Sequence, residues 1–279
     1  MMRVTIGLDI GGSTTKVVGF DGKKCLEMAK VTASDPIASA YGGVGRFMSQ
    51  NGLIVSDIRE IIMTGVGSGA INTDVLQIPT RKADEFEAVG LGGLYLAKTD
   101  RCIVVSMGTG TSIISADSKG GRHVIGSGVG GGTLLGLSQA MLHISDVEVI
   151  SSLASQGDLS KVDLTIGDIS RDEIPGLPAY VTASNFGKLD EEASREDLAK
   201  GIVNLVFQSV GTAAMLSARL EGLEQVVFVG YLPKIKEGQE VLHYFSQLYG
   251  TEVIIPENAE FATAMGAALT ALTDENSRW

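Results

Sequence analysis

The chain is poor in the residues that usually announce metal or nucleophile chemistry: two cysteines, three histidines and one tryptophan in 279 residues. Cys25 and Cys102 lie far apart and neither belongs to a CxxC or CxxH pair. His123, His143 and His243 are scattered, so no zinc site is legible. The two thiols read as reduced ones in a cytoplasmic protein. No GxSxG elbow occurs, which leaves Ser-His-Asp catalysis without support. No long Lys/Arg run occurs and the formal net charge is −11, so nucleic acid is not an expected partner. There is no uninterrupted 18-residue apolar stretch, which argues against a membrane span. Arg3 is followed by the strand-like VTIGLDI, unlike the apolar stretch of a signal peptide.

Glycine, by contrast, is abundant. The 36 glycines cluster at 11–12, 42–45, 65–69, 90–93, 108–110 and 120–136, with another at 266. Such clusters mark tight turns or backbone brought close to something. In a chain that alternates strands and helices they suggest phosphates held by backbone N–H groups.

Residues 3–9 read as a strand, followed by a Gly/Ser/Thr turn and a second strand, KVVGF, which makes a hairpin. Asp35-Pro36 opens a helix to about Gln50, stopped by Gly52. EIIMTGVGSG (60–69) is a buried strand entering a glycine loop. CIVVSMGTGTSIISAD (102–117) then repeats the opening pattern. LDIGGSTTKV and VSMGTGTSII align at an offset of 97, Asp9 with Ser106, Gly11 with Gly108 and Thr14 with Thr111. Such a repeat implies two related lobes facing a cleft. HVIGSGVGGGTLLGL (123–137) is a strand, a triple-glycine turn and a helix. Later come a helix over DVEVISSLASQ, a strand-like DLTIGDI, and the polar loop TASNFG (182–187). A long amphipathic helix spans Ser194 to about Leu220, and then VVFVG forms a buried strand. Further on lie a helix (237–250), the strand EVIIP and a small-residue helix at about 258–272. The closing DENSRW is expected to fray.

Four of these stretches can hold a nucleotide. In GLDIGGSTTK, the N–H groups of Gly11, Gly12, Ser13, Thr14 and Thr15 can face phosphate oxygens, Lys16 can add a charge, and Asp9 can hold Mg²⁺ through water. A tight hairpin with Asp9 capping its own turn is the competing reading. SMGTGTS offers Gly108, Thr109 and Gly110. Gly130, Gly131, Gly132 and Thr133 sit at a helix N-terminus that could cradle phosphates or simply pack closely. VVFVGYLP ends its strand at Gly230 and Tyr231, where adenine or ribose could lie on the backbone.

KADEFEAVGLGG (82–93) crowds Asp84, Glu85 and Glu87 together. Asp84 as N-cap and Glu87 reaching back would form a capping box. Glu85 is left without structural work.

Taken together, the motifs resemble the acetate/sugar kinase, heat-shock and actin superfamily: an α/β fold of two ribonuclease H-like (actin-like) lobes, with mixed sheets flanked by helices and ATP in the cleft between them. The superfamily motifs map to Gly7–Lys16, Met63–Gly69, Ser106–Ser112, Phe228–Pro233 and Phe261–Ala268. Within it, DIGGSTTK, EFEA (85–88), GTGTS, GSGVGGGTLLGL, TASNFG, VFVG and ATAMGAAL (262–269) are similar to those of type II pantothenate kinases. The resemblance implies lobes at 1–98 and 99–279, with the last helix near the interlobe contact. It also implies ATP and Mg²⁺ as cofactors, pantothenate as substrate and a homodimer, for which the Ser194–Leu220 helix is a candidate surface.

By the same resemblance Glu85 is the catalytic base, beside Asp9 and Lys16, and Thr109 and Ser112 contact the substrate. The family's usual Arg before the GGGT stretch is replaced here by His123, with Arg122 one residue earlier, so both are candidates to serve the substrate. A kinase for another small alcohol, such as pantetheine or an amino sugar, is a further reading. So is a nucleotide-driven dehydratase activator, which would need clustered cysteines for an iron–sulfur centre.

Overall fold

The computed structural model describes residues 3–32, 34–172 and 174–273; DENSRW, expected to fray, lies outside the described residues. The first half folds on a six-stranded mixed sheet. Its strands are β1 (Val4–Ile10), β2 (Thr14–Asp21), β3 (Lys24–Cys25), β4 (Ala29–Thr32), β5 (Ile58–Thr64) and β6 (Thr80–Lys82). Helix α1 (Pro36–Asn51) covers one face. Asp35 Oδ1 accepts from the Ala38 N–H at 2.6 Å, Pro36 enters the first turn, and Gly52 closes the helix at φ 65°.

Helix α2 (Glu85–Ala97) leads to the second half. There follow β7 (Arg101–Met107), β8 (Thr111–Asp117), β9 (Gly120–Ser127), α3 (Gly131–Leu142), α4 (Val147–Ala154), β10 (Leu164–Thr165), α5 (Ile166–Ile169), β11 (Thr182–Ser184), α6 (Arg195–Glu221), β12 (Gln225–Gly230), α7 (Lys236–Tyr249), β13 (Glu252–Ile254) and α8 (Ala262–Thr273). The strand orders β3-β2-β1-β5-β6 and β9-β8-β7-β12-β13 are the same pattern. In each, an antiparallel hairpin supplies the central strand, and two parallel strands extend it. The repeat seen in the sequence is therefore a repeat of sheet topology.

The register refines that repeat. The first hairpin closes with Ile10 opposite Thr15, the second with Met107 opposite Thr111. The first turn holds residues 11–14 and the second only 108–110. The offset of 97 therefore holds up to the turn and becomes 96 after it. Thr111 corresponds to Thr15, not Thr14, and Ser112 stands where Lys16 stands. Both matched threonines are buried, and their hydroxyls donate at 2.8 Å, Thr15 to Ser39 Oγ and Thr111 to the Val129 carbonyl.

Two helices cross between the halves. Val89 and Leu94 of α2 pack with Cys102, Val104 and Ile114 of the second sheet. Ala264, Met265 and Ala268 of α8 pack with Val18 and Phe20 of the first. Each helix thus lies on the sheet of the other half. Backbone contact makes this possible: a Cβ at Gly266 would fall 1.6 Å from the Ala88 carbonyl oxygen, and one at Gly92 would fall 1.8 Å from that of Ala262.

Elsewhere α6 follows its sequence signals, with Ser194 and Asp197 capping reciprocally and Gly222 in the left-handed conformation. By length and composition α6 could cross a membrane, but 67% of its apolar window is buried within the protein. DLTIGDI departs from its strand-like pattern. The Thr165 N–H and hydroxyl both donate to Asp168 Oδ2, at 2.9 and 2.8 Å, which starts the helical turn α5 after two strand residues.

Candidate active site

The site is built on the carboxyl end of β1. Side chains of Ile6, Leu8 and Ile10 enter the core beneath α1, so Asp9 points to the opposite face, toward α2 and α8. Opposite it on β2, Lys16 places Nζ 3.2 Å from Asp9 Oδ2, and both side chains are largely buried. The other oxygen, Oδ1, faces Gly65 just after β5. A Cβ there would lie 2.7 Å from it, and φ is 86°, so this close approach requires glycine. Lys16, expected as a free charge for phosphates, is thus already held by Asp9.

Beside Asp9 in the parallel register sits Thr64, a residue within the Met63–Gly69 motif that was assigned no role of its own. It is 1% exposed and its hydroxyl has no hydrogen-bond partner. An orphaned buried hydroxyl costs roughly 1–3 kcal/mol. Thr64→Val is expected to raise stability by about 1 kcal/mol in chemical denaturation. A loss of stability would mean that the hydroxyl has a partner after all.

Glu85 is the first residue of α2. Asp84 is the N-cap, its Oδ1 accepting from the Glu87 N–H at 2.9 Å. Only this half of the expected capping box forms. The Glu87 side chain instead packs over the β8–β9 turn, 3.1 Å from where a Cβ of Gly120 would lie. Ala83 donates to the Met63 carbonyl at 2.9 Å, which pins the start of α2 beside β5 and brings Glu85 toward Asp9. The Glu85 side chain is exposed as a whole. Its pKa is nevertheless raised, first by partial desolvation of the carboxyl, then by the negative charges of Asp9 and Asp84.

The second hairpin tip, Gly108–Gly110, is exposed, and the N-terminus of α3 packs behind it. The N–H of Gly131 donates to the Gly108 carbonyl and that of Gly132 to Thr109, both at 2.8 Å. Thr133 Oγ1 donates to the Gly128 carbonyl and accepts from the Gly130 N–H. These donors, expected to cradle phosphate, are spent on shaping the turn. Gly12 and Ser13 form the exposed tip of the first hairpin, while Thr15 turns its side chain under α1. Gly230 has φ 95°, and a Cβ would approach the Met107 carbonyl to 2.5 Å, so β12 needs glycine to end against β7. Tyr231 follows, its hydroxyl donating to Glu148 Oε1 at 2.7 Å. That hydrogen bond, with burial and nearby carboxylates, pushes its pKa up to about 12.

Strand alternation separates His123 from Arg122. His123 pairs with Ile114 and faces α2, its ring 4.4 Å from that of Phe86, the residue after Glu85. Arg122 faces the other way and binds Glu221 of α6 at 2.6 Å. Ser112 is opposite Ser106 and shares the α2 face with Ile114. The chain thus brings Asp9, Lys16, Glu85, Ser112 and His123 to one side of the sheets, and Arg122 is not among them. A hollow of about 740 Å³ between the segment around Ile166, Arg171 and Tyr180 and the α7 residues Gln247 and Leu248 includes none of this constellation.

The profile of the Fumble family matches residues 100–270. A type II pantothenate kinase of Staphylococcus haemolyticus is 30% identical over 94% of this chain and 98% of its own length. One from Bacillus cereus is 27% identical over 97% and 99%. Among solved structures, component A of the (R)-2-hydroxyglutaryl-CoA dehydratase of Acidaminococcus fermentans superposes with a TM-score of 0.72 at 16% identity, covering 99% of this chain and 100% of that one. A ROK family glucokinase of Streptomyces griseus, in complex with glucose and AMPPNP, gives 0.62 at 14%, covering 96% and 98%. At these identities the solved structures speak for the two-lobed fold alone.

Proposed function

We propose, because the chain belongs to the Fumble family of type II pantothenate kinases, that it transfers the γ-phosphoryl group of ATP to the 4′-hydroxyl of pantothenate in the cytoplasm, the first step of coenzyme A biosynthesis. The observation that carries the mechanism is Glu85, at the open start of α2, with its pKa raised by desolvation and by Asp9. Its carboxylate orients the hydroxyl and accepts its proton as the oxygen attacks the γ-phosphorus. The new O–P bond forms as the bond to the bridging oxygen breaks, and ADP leaves with that electron pair.

Asp9 fits a Mg²⁺ ion carried mainly by phosphates and water. It is a single carboxylate with one oxygen toward the Gly65 gap, and among the described residues no three-ligand cluster competes. When bound, the ion would neutralise charge on the phosphates. Lys16 holds Asp9 in place and adds its own charge. The tips at Gly11–Thr14 and Gly108–Gly110 approach the phosphates, Gly130–Thr133 support the second tip, and Gly230 and Tyr231 border the nucleoside.

On the acceptor side stand Thr109, Ser112 and His123. The Arg122–Glu221 pair on the opposite face leaves His123 as the ring at that end. ADP release from Mg-ATP, with pantothenate beside pantetheine and a panel of sugars, tests this reading. Release only with another alcohol would reassign the acceptor.

The protein is a homodimer in this reading, through α6, which leaves Leu216 and Leu220 54% and 83% exposed. Sedimentation equilibrium is expected to give twice the chain mass, and a monomer mass would overturn the dimer. For the activator reading, the two cysteines do not cluster among the described residues. Cys25 lies in β3, and Cys102 is fully buried in β7 with its thiol pushed up to about 12.

A further inference from the structure

A second charged cluster lies across the cleft, on the β2 side of Asp9, whereas Glu85 lies on the β5 side. Lys30 of β4 places Nζ 2.8 Å from Glu260 Oε2, in the turn before α8. Lys234, in the turn after β12, binds the other oxygen of Glu260. The two ammonium groups also sit over the Tyr231 ring, 4.8 and 5.5 Å from its centroid. Lys30 is opposite Lys16 on paired strands, and Lys16 is opposite Asp9. Directly opposed residues share a face, so Asp9, Lys16 and Lys30 form one row across the first sheet. That row ends on Glu260 and Tyr231 of the second half.

Glu260 is no ordinary surface partner. Its side chain is 10% exposed, against 34% for Lys30. Burial alone would raise its pKa, but hydrogen bonds and charge from Lys234 and Lys30 outweigh that and hold it below the usual carboxylate range. A desolvated carboxylate that loses one of two cations is left poorly compensated. Separating the halves at this point would do that, because one cation belongs to each half. The pair therefore favours the arrangement in which the Tyr231 turn stays against β4.

We propose that Lys30 is a positioning residue for the nucleotide: its ion pair with Glu260 latches β4 to the Tyr231 turn and closes the nucleoside end of the cleft. This rests on the reading of the cleft as an ATP site. Holding the Tyr231 turn against β4 keeps the nucleoside end of the cleft in shape, so weakening the latch lowers nucleotide affinity. The acceptor end, at Glu85 and His123, is left alone.

The test uses the full chain without acceptor. ADP binding is titrated for wild type, Lys30→Met, Glu260→Gln, the double variant, Lys30→Arg and Lys234→Met, all checked by thermal melting. ADP affinity is expected to fall about fivefold in each of Lys30→Met and Glu260→Gln. The double variant is expected to be no weaker than the weaker single one, and Lys30→Arg to keep most of the affinity. KM for ATP should rise in the same variants while KM for pantothenate stays put. Unchanged ADP affinity in Lys30→Met, additive losses in the double variant, or an equal loss in Lys234→Met, which bridges nothing between the halves, would overturn the latch. A wild-type chain that binds no ADP would overturn the kinase reading itself.

Discussion

Glu85→Gln is expected to lower turnover about a thousandfold while ADP affinity stays near that of wild type. The amide keeps the size of the side chain and can still touch the acceptor hydroxyl, but it cannot take its proton. The N-cap at Asp84 is untouched, so α2 starts where it did. The raised pKa fixes the sign of the pH dependence. The working base is the ionised form, so activity falls as pH drops through the Glu85 pKa, and this acid limb lies above the ordinary carboxylate range. Stability runs the other way. A carboxyl whose pKa is higher folded than unfolded favours the fold in its protonated form, and that contribution is lost as pH rises through the folded value. Glu85→Gln should therefore be slightly more stable than wild type at neutral pH, and equal to it in acid. A variant with full turnover would remove Glu85 from the chemistry.

Gly266→Ala is expected to be among the most damaging single-methyl changes, lowering stability by more than about 3 kcal/mol. In an isolated helix alanine would gain up to about 1 kcal/mol over glycine. Here its Cβ would sit 1.6 Å from the Ala88 carbonyl oxygen and 2.8 Å from the Gly92 nitrogen, atoms of the α2 backbone that cannot rotate away. Helices α2 and α8 must then separate, and with them the two sheets that each helix ties to the other. Gly45→Ala is the matched control. Gly45 is an exposed position in α1 with no atom within 4 Å of a new Cβ, so the propensity gain should appear alone, at about 0.5–1 kcal/mol. Urea denaturation of the two variants gives both numbers. Equal behaviour would mean that the α2–α8 contact yields more easily than its backbone geometry implies.

The local features were legible because their causes are local. Asp35-Pro36 and Gly52 bound α1, Ser194 and Gly222 bound α6, and Asp84 caps α2, since each signal acts over three or four residues of backbone. The repeated hairpin showed in the sequence for the same reason. Its one-residue difference in turn length did not, because gaps among glycines and threonines align equally well either way until strand register decides.

Tertiary structure alone decided what those elements bring together. Whether His123 or Arg122 enters the site depends on which face of β9 meets α2, and a strand offers both faces to the same sequence. The N–H groups of Gly131 and Gly132 looked free until the Gly108–Gly110 turn docked against them. Glu85 acquires its raised pKa from desolvation and then from Asp9, and Lys30 meets Glu260, across separations along the chain that no periodicity spans. Those meetings depend on two helices touching backbone to backbone at glycines, a contact between elements about 170 residues apart in the chain.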